Sequence, residues 1–222
     1  MFFKGCPLSC YWCSNPESQD NHPCKEARQY IVEEVLELCL QDRAFYEETR
    51  GGVTFSGGEP LSQQDFLIEL SGALRKEKIH IAIETSGFAP LDIFSDIYAA
   101  IDLLLFDIKH YDDSLHVMGT GVHFDEIIAN LRSAISFGKE LLIRIPVIPR
   151  YNNTVEDARG FCSLLESLGI YQVQLLPFHQ FGGKKYELLG LSYSMKNIPQ
   201  LHAEDLEEYQ MIFTKAGIKC FF

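Results

Sequence analysis

Residues 5–18 read GCPLSCYWCSNPES and place three cysteines, Cys6, Cys10 and Cys13, at C-x3-C-x2-C spacing. No fourth cysteine completes this run. Iron–sulfur cubanes are normally held by four cysteine thiolates, one on each iron. A loop that supplies three thiolates leaves one iron without a protein ligand, and an open metal position is where a substrate or cofactor binds. The loop therefore predicts a cluster with one open iron.

A structural zinc site is the alternative reading of the same cysteines, with Cys24 or His22 as the fourth ligand. The chain has seven cysteines, an odd number, and its first residues show no secretory signal. A reducing compartment, the cytoplasm, is therefore expected, and metal ligands or buried thiols are favoured over disulfides.

Composition limits the remaining classes of function. The 222 residues, 46% of them hydrophobic, fit one domain, which is predicted to span 1–222. A net charge of −12 argues against binding to nucleic acid. The apolar stretches are too short to cross a membrane, so no membrane partner is expected.

Short apolar strands alternate with helices of 3.6-residue period along the chain. Ser62 is the predicted N-cap of one helix, and Thr154, with Asp157 three residues later, begins another. Repeated β–α units predict parallel strands covered by helices, in an open sheet or a barrel. The candidate strands are Met1–Lys4, Val53–Phe55, His80–Glu84, Asp102–Asp107, Leu141–Ile148 and Tyr171–Leu176.

Polar clusters accompany five of these strands. FSGGEP, ETSG and DIKH follow three of them, Arg144 lies within the fourth, and PFHQFGG ends the fifth. In parallel α/β folds the chemistry collects at the carboxyl ends of the strands. The pattern therefore indicates a functional site at that end.

With these motifs the chain resembles the radical S-adenosylmethionine enzymes and, among them, the activating enzymes of glycyl-radical enzymes such as pyruvate formate-lyase. The resemblance implies a partial (β/α)6 TIM-like barrel of the radical SAM type, one [4Fe–4S] cluster and S-adenosyl-L-methionine as cofactor. The motifs that carry it are FFKGCPLSCYWCSNPES, GGVTFSGGEPL, ETSGF, LLFDIKH, HVMGTGV, LLIRIPVIPRYNNT and LLPFHQFGGKKYELLG.

The resemblance also assigns residues. Cys6, Cys10 and Cys13 become the cluster ligands and, with Lys109, the catalytic residues, while the cofactor's amino and carboxylate groups bind the fourth iron. Gly57, Gly58 and Glu59 are expected to line the methionyl amine through their backbone. The other expected cofactor contacts are Trp12, Ser14, Glu84, Asp107, Ile108, Lys109, Arg144 and His179.

Quieter structural roles remain open for several of these residues. Lys109 and Asp107 can form an ion pair at a strand end, and Arg144 can pair with Glu84. His179 can be a partly buried histidine with satisfied hydrogen bonds.

By resemblance, an electron from flavodoxin or ferredoxin reduces the cluster, the cofactor is cleaved to methionine and a 5′-deoxyadenosyl radical, and that radical takes a hydrogen atom from a glycine of the partner enzyme. Such activases belong to anaerobic metabolism, and a monomer is expected.

Two departures from the family are visible. The usual N-terminal segment before the cluster loop is missing, so the chain is expected to be shortened and of uncertain activity. Cys24 and Cys39 are too few to hold a second four-cysteine cluster between Cys13 and Gly58.

Three other functions stay open. They are a radical enzyme that acts on a small molecule of the deazapurine type, a barrel aldolase with Lys109 as Schiff-base amine, and a non-enzymatic metal-binding remnant.

Overall fold

The structure is a computed structural model that describes residues 1–20 and 27–222. Cys24 and His22, the ligands of the alternative zinc site, lie outside the described residues. The strands are β1 Phe2–Phe3, β2 Gly52–Gly57, β3 His80–Thr85, β4 Leu103–Asp107, β5 Glu140–Val147, β6 Gln172–Pro177 and β7 Lys219–Phe221. The helices are α1 Val32–Gln41, α2 Arg43–Thr49, α3 Gln64–Lys76, α4 Leu91–Ala100, α5 Asp113–Thr120, α6 Asp125–Phe137, α7 Val155–Ser167, α8 Gly183–Leu189 and α9 Glu207–Lys215. Within these described ranges, 3₁₀ turns cover Pro16–Ser18, Pro60–Gln63 and Ala203–Leu206.

The strands of the described chain form a sheet in which their order follows the sequence, from β1 to β7. The pairs β1–β2, β2–β3, β5–β6 and β6–β7 are parallel. This confirms the predicted α/β class and all six candidate strands. The structure adds a further strand, β7, after the six that were predicted.

The first strand is short but paired. Phe2 lies opposite Ser56 and Phe3 opposite Gly57. The amino group of Met1 donates a hydrogen bond to the Thr54 carbonyl oxygen at 2.7 Å. A strand of two residues is thus fixed because hydrogen bonds continue the ladder before and after it. They are the Met1–Thr54 bond and the bond from the Gly58 N–H to the Phe3 carbonyl oxygen.

The chain divides into two compact units. The first consists of Met1–Pro7, Glu17–Leu105 and Glu126–Leu141, and the second of Leu8–Pro16, Phe106–Asp125 and Leu142–Phe222. The assignment of 1–222 to one domain stays a prediction.

Each unit has its own apolar core. In the first, α3 turns Leu67, Leu70 and Leu74 inward, all fully buried, as its 3.6-residue period predicts. In the second, α7 packs against α9 and buries Phe161 and Leu165.

The start of α3 differs from the prediction that Ser62 is its N-cap, which is wrong. Ser62 lies inside the 3₁₀ turn Pro60–Gln63, and the side chain of Glu59 accepts the hydrogen bond from the Leu61 N–H. The physical reason is Pro60, whose fixed φ suits the first position of a turn, so that a 3₁₀ turn capped by Glu59 precedes α3. The N-cap of α3 itself is Gln63, which makes no side-chain cap bond.

The predicted start of α7 is confirmed. Thr154 is the N-cap, its Oγ1 accepts from the Asp157 N–H at 3.1 Å, and Asp157 Oδ2 accepts from the Thr154 N–H at 2.9 Å. This reciprocal capping box satisfies two of the amide groups that a helix start leaves without partners.

In the part of the chain that the structure describes, no helix combines the length and the apolar character needed to cross a membrane.

The capping box gives a stability prediction. Replacing Thr154 with Ala removes the side-chain cap of α7 and is expected to lower the free energy of unfolding by about 1 kcal/mol. Urea denaturation followed by circular dichroism measures the change. Thr214→Ala is the matched control, because that hydroxyl only bonds the Gln210 carbonyl one turn earlier in α9. Equal losses in the two variants would contradict the capping role.

Candidate functional site

In the first unit the backbone of residues 3–5 continues the β1–β2 ladder beyond the ends of both strands. The Gly58 N–H donates to the Phe3 carbonyl oxygen at 2.9 Å, and the Glu59 N–H donates to the Gly5 carbonyl oxygen at 2.8 Å. The Gly5 N–H in turn donates to the Ser18 carbonyl oxygen at 2.7 Å. Cys6, the next residue, is thereby fixed beside the end of β2 and is half-buried.

The two glycines at this end of β2 are needed for that contact. Gly57 has a φ of +110°, and a Cβ there would lie 2.4 Å from the Phe3 amide nitrogen. A Cβ on Gly58 would lie 2.2 Å from the Gly5 carbonyl oxygen. Both contacts are with backbone atoms, which cannot rotate away as a side chain can. The segment that carries Cys6 thus makes the close approach that these two glycines permit.

Glu59 has its carboxylate fully inside the protein, with 1% of the residue exposed. Oε1 accepts from the Leu61 N–H at 3.3 Å and the Thr85 hydroxyl at 2.6 Å. Oε2 accepts from the Ser86 N–H at 2.9 Å and the Ser86 hydroxyl at 2.6 Å. The carboxylate therefore holds the ETSG turn after β3 against the end of β2. The expected contact of Glu59 with a cofactor through its backbone stays a prediction.

Glu84 is the other acidic residue predicted for the site in this unit. Its Oε2 accepts a hydrogen bond from the Ser56 hydroxyl at 2.6 Å. Ser56 immediately precedes the glycine pair, so Glu84 acts on the same strand end from β3.

In the second unit the HVMGTGV motif anchors the cysteine loop. The Ser9 N–H donates to the Thr120 carbonyl oxygen at 2.7 Å, and the Tyr11 N–H donates to the Gly119 carbonyl oxygen at 3.4 Å. A tight turn follows, in which the Cys13 N–H donates to the Cys10 carbonyl oxygen at 3.1 Å. These bonds position Cys10, which is buried, and Cys13, which is half-buried.

Trp12 lies between these two cysteines, and its side chain packs inward. It is 7% exposed, and its ring centroid is 4.6 Å from that of Tyr151. The Tyr151 hydroxyl donates to the Leu115 carbonyl oxygen at 3.0 Å, which ties this aromatic pair to α5. Because its ring packs inside the protein, the predicted cofactor contact of Trp12 would be made by its main chain.

Three charged residues meet at the end of β4. Asp107 Oδ1 accepts from Arg144 Nε at 2.8 Å, and Asp107 Oδ2 lies 3.5 Å from Lys109 Nζ. Between them Ile108 is fully buried, and its N–H donates to the Arg144 carbonyl oxygen at 2.9 Å. The ion pair considered for Asp107 and Lys109 is therefore present. It fixes a cationic group at a strand end, which suits an anionic ligand as well as a structural role.

The segment after β6 lies against the Cys13 turn. A Cβ on Gly182 would lie 2.9 Å from the Ser14 Cα and 3.1 Å from the Cys13 carbonyl oxygen. Lys185 Nζ donates to Asn15 Oδ1 at 2.7 Å. His179 stacks on Phe181 at 4.3 Å, and burial lowers the pKa of its imidazole. The predicted position of His179 next to an adenosine stays a prediction.

The predicted residues thus form two sets, and their joint action on one cofactor stays a prediction. The first unit holds Cys6, Gly57, Gly58, Glu59 and Glu84, and the second holds Cys10, Trp12, Cys13, Ser14, Asp107, Ile108, Lys109, Arg144 and His179.

Sequence reasoning assigned no role to Thr120, Tyr151 or Asn152. Asn152 Nδ2 donates to the carbonyl oxygens of Lys109 and Pro146, at 3.1 and 2.9 Å, and so fixes the loop after β4. Each of the three residues lies in one of the motifs found in the sequence. Only the contacts in the structure show which segments these residues bind.

The donor set around the cysteines suits an iron–sulfur cluster. Cys6, Cys10 and Cys13 take part in no disulfide, so their sulfur atoms can serve as ligands. The Asn15 N–H points at Cys13 Sγ, 3.3 Å away, and backbone N–H donors of this kind stabilise ligand thiolates. Among the described residues, no three His, Cys, Asp or Glu side chains converge as they would around a single metal ion. A cubane does not need that geometry, because each of its thiolates binds a different iron.

Comparison with known proteins identifies the relatives of the chain. Residues 1–162 match the model of the Radical SAM superfamily. The 4-hydroxyphenylacetate decarboxylase activating enzyme of Clostridioides difficile (strain CD196) is 32% identical over 282 residues, covering 100% of this chain and 89% of the relative. The (2S)-3-sulfopropanediol dehydratase activating enzyme of Klebsiella oxytoca is 33% identical over 289 residues, with 99% and 90% covered. These alignments are longer than the 222 residues of the chain, so both relatives contain segments without a counterpart here.

Solved structures show the same fold. A domain of pyruvate-formate lyase-activating enzyme from Bacteroides vulgatus superposes with a TM-score of 0.63 at 27% identity, over 78% of this chain and 99% of that domain. The predicted fold class, the barrel type of the radical SAM enzymes, is thereby confirmed.

The contact between Gly58 and Gly5 gives a second prediction. Gly58→Ala forces a Cβ against backbone, so the segment before Cys6 must move, at an expected cost of about 1–3 kcal/mol in unfolding free energy. Iron bound per chain after anaerobic reconstitution is expected to fall as well.

Gly72→Ala is the matched control, because a Cβ there meets nothing within 4 Å and the residue lies in α3. It is expected to raise stability by up to about 1 kcal/mol without changing iron content. Normal iron content in the Gly58→Ala variant would contradict the packing argument.

Glu59 gives a pH-dependent prediction. Burial raises the pKa of its carboxyl above the ordinary value, although the hydrogen bonds from Ser86, Thr85 and Leu61 oppose the rise. The native state then binds more protons than the unfolded state between the two pKa values, so the contribution of Glu59 to stability falls as the pH rises above about 4.5.

Glu59→Gln is expected to be less stable by about 1–3 kcal/mol, since its amide NH₂ faces donors. Urea denaturation at pH 5 and pH 8 should show a larger deficit at pH 5. A deficit that grows with pH would show that the native carboxyl has a lowered pKa instead.

Proposed function

Because the chain belongs to the Radical SAM superfamily and, within it, to the activating enzymes of glycyl-radical enzymes, we propose that Cys6, Cys10 and Cys13 hold its [4Fe–4S] cluster. The observation that carries this proposal is the double anchoring of the cysteine loop. Gly58 and Glu59 bind the backbone before Cys6, and Gly119 and Thr120 bind the backbone before Cys10 and Cys13.

The superfamily uses a [4Fe–4S] cluster and S-adenosylmethionine, and these are the cofactors of this chain. We propose that the amino and carboxylate groups of S-adenosylmethionine bind the iron that the three cysteines leave open. When bound, the pair supplies one-electron cleavage of the sulfonium C–S bond and the hydrogen-atom abstraction that follows. One cluster is proposed, since the chain has only Cys24 and Cys39 between Cys13 and Gly58.

The protein groups orient this cofactor. We propose that the backbone of Gly57, Gly58 and Glu59 receives its amino group, because the side chain of Glu59 is used by Thr85 and Ser86. Arg144, fixed by Asp107 at 2.8 Å, is proposed to face the carboxylate. Trp12 and Ser14 would contact it through main chain, with Glu84 near the strand end.

The end of β4 and the segment after β6 complete the proposed cofactor site. Ile108 and Lys109 would meet the cofactor from β4. Burial keeps the imidazole of His179 neutral, which suits a position beside the adenosine.

Further properties of the protein follow as proposals from the same family membership. We propose that flavodoxin or ferredoxin donates the electron and that the protein acts as a monomer with a single core domain. We also propose a cytoplasmic setting and a role in anaerobic metabolism, because seven cysteines, an odd number, fit a reducing compartment.

The protein substrate is a glycyl-radical enzyme, because the relatives are activating enzymes of such enzymes. Their names identify a decarboxylase and a dehydratase, and the related solved domain is named for pyruvate-formate lyase. Identities of 32% and 33% to activases of two different enzymes do not separate these partners. We therefore propose a glycyl-radical enzyme as the partner and keep pyruvate formate-lyase as one candidate.

Cofactor cleavage tests the cluster assignment. After anaerobic reconstitution with iron and sulfide, wild-type protein with S-adenosylmethionine and dithionite is expected to form 5′-deoxyadenosine, and Cys10→Ala is not. Cys39→Ala is the matched control. Cys39 lies on α1, and burial raises the pKa of its thiol, which makes it a poor ligand, so this variant should match wild type. Equal cleavage by the Cys10 variant would refute the assignment.

Partner choice is tested by radical transfer. Purified pyruvate formate-lyase, a glycyl-radical decarboxylase and a glycyl-radical dehydratase are each incubated with the reduced protein and S-adenosylmethionine. Electron paramagnetic resonance is expected to show a glycyl radical on at least one of them, and none when that enzyme carries Ala at the radical glycine. Turnover of S-adenosylmethionine that depends on a small molecule instead would favour the deazapurine type of enzyme.

A further inference from the structure

Tyr193, which follows α8, carries a buried hydroxyl group whose hydrogen-bonding capacity is not satisfied by the described residues. The residue is 8% exposed, and its hydroxyl oxygen is shielded from solvent without a hydrogen-bond partner in the described part of the chain. A buried donor left in this state costs about 1–3 kcal/mol, so such groups call for a partner of another kind.

The surroundings of Tyr193 point to the cysteine loop. Its ring stacks on Tyr186 of α8, with centroids 4.3 Å apart and planes 24° apart. The neighbouring residue Lys185 donates to Asn15 Oδ1 at 2.7 Å, two residues after Cys13. The glycine that begins this segment, Gly182, is packed against the Cys13 carbonyl oxygen. Tyr193 is thus part of the layer that covers the Cys13 turn.

The charge of Cys13 reaches this hydroxyl. The pKa of Tyr193 is raised above its ordinary value, first by burial and then by the negative charge of the Cys13 sulfur. Cys13 Sγ already accepts a hydrogen bond from the Asn15 N–H at 3.3 Å. A donor that is buried, lacks a partner and lies in the field of a ligand thiolate is suited to a sulfur acceptor.

We propose that the Tyr193 O–H donates a hydrogen bond to a sulfur atom of the [4Fe–4S] cluster beside Cys13 and so raises the reduction potential of the cluster. The inference rests on the proposed role of Cys13 as a cluster ligand. Reduction adds negative charge to the cluster sulfurs, so a donor stabilises the reduced form more than the oxidised form.

The potential is measured by redox titration of the reconstituted protein, with the reduced cluster followed by electron paramagnetic resonance. At the wild-type midpoint, Tyr193→Phe is expected to lower the ratio of reduced to oxidised cluster by up to about tenfold, which corresponds to about 59 mV for a one-electron couple.

Tyr209→Phe is the matched control for this titration. It also removes a buried tyrosine hydroxyl, but one that donates to the Asn152 carbonyl oxygen at 3.0 Å, and it should leave the ratio unchanged.

Two further readouts separate this role from a packing role. Electron–nuclear double resonance of the reduced wild-type cluster should show an exchangeable proton that is lost in D₂O and absent from Tyr193→Phe. The cluster-free Tyr193→Phe protein should be at least as stable as cluster-free wild type, because the hydroxyl has no partner there.

The outcomes are distinguishable. A cluster that forms normally, with the same midpoint and proton coupling in Tyr193→Phe as in wild type, would overturn this inference and leave the cluster assignment intact. A wild-type protein that takes up no cluster would overturn both the inference and the proposed function.

Discussion

The contact between the backbone of Gly5 and that of Gly58 is the constraint on which the site depends. It lets two hydrogen bonds continue the β1–β2 ladder past its end, so that Cys6 follows directly from a fixed strand. Only glycine permits this approach, because a Cβ on Gly58 would come within 2.2 Å of the Gly5 oxygen. A cysteine loop anchored in this way would lose little conformational entropy on binding the proposed cluster.

The buried carboxylate of Glu59 supports the contact between Gly5 and Gly58. Glu59 is desolvated, yet it accepts hydrogen bonds from Leu61, Thr85 and Ser86, so its charge is compensated by dipoles that the fold fixes. Its backbone N–H meanwhile holds Gly5. One residue thereby joins the end of β2, the turn after β3 and the segment before Cys6, which explains why a glutamate follows the glycine pair.

The sequence predicted the strands, the start of α7 and the family, because periodicity, capping and motif spacing are local signals. It failed at Ser62, where Pro60 begins a 3₁₀ turn ahead of α3. It also gave no role to Thr120 or Tyr193. Their roles depend on contacts between segments far apart in the chain, as in the Ser9–Thr120 bond, and such pairings have no periodic signature.

The most direct test of the account is the electron paramagnetic resonance spectrum of the reduced, reconstituted protein with and without S-adenosylmethionine. Three protein thiolates leave one iron open, so the account predicts a [4Fe–4S] signal whose g values shift when the cofactor binds that iron. The same spectrum in both samples would contradict the open iron, and with it the central claim. Iron that is bound as a single ion and gives no cluster signal would contradict the central claim as well.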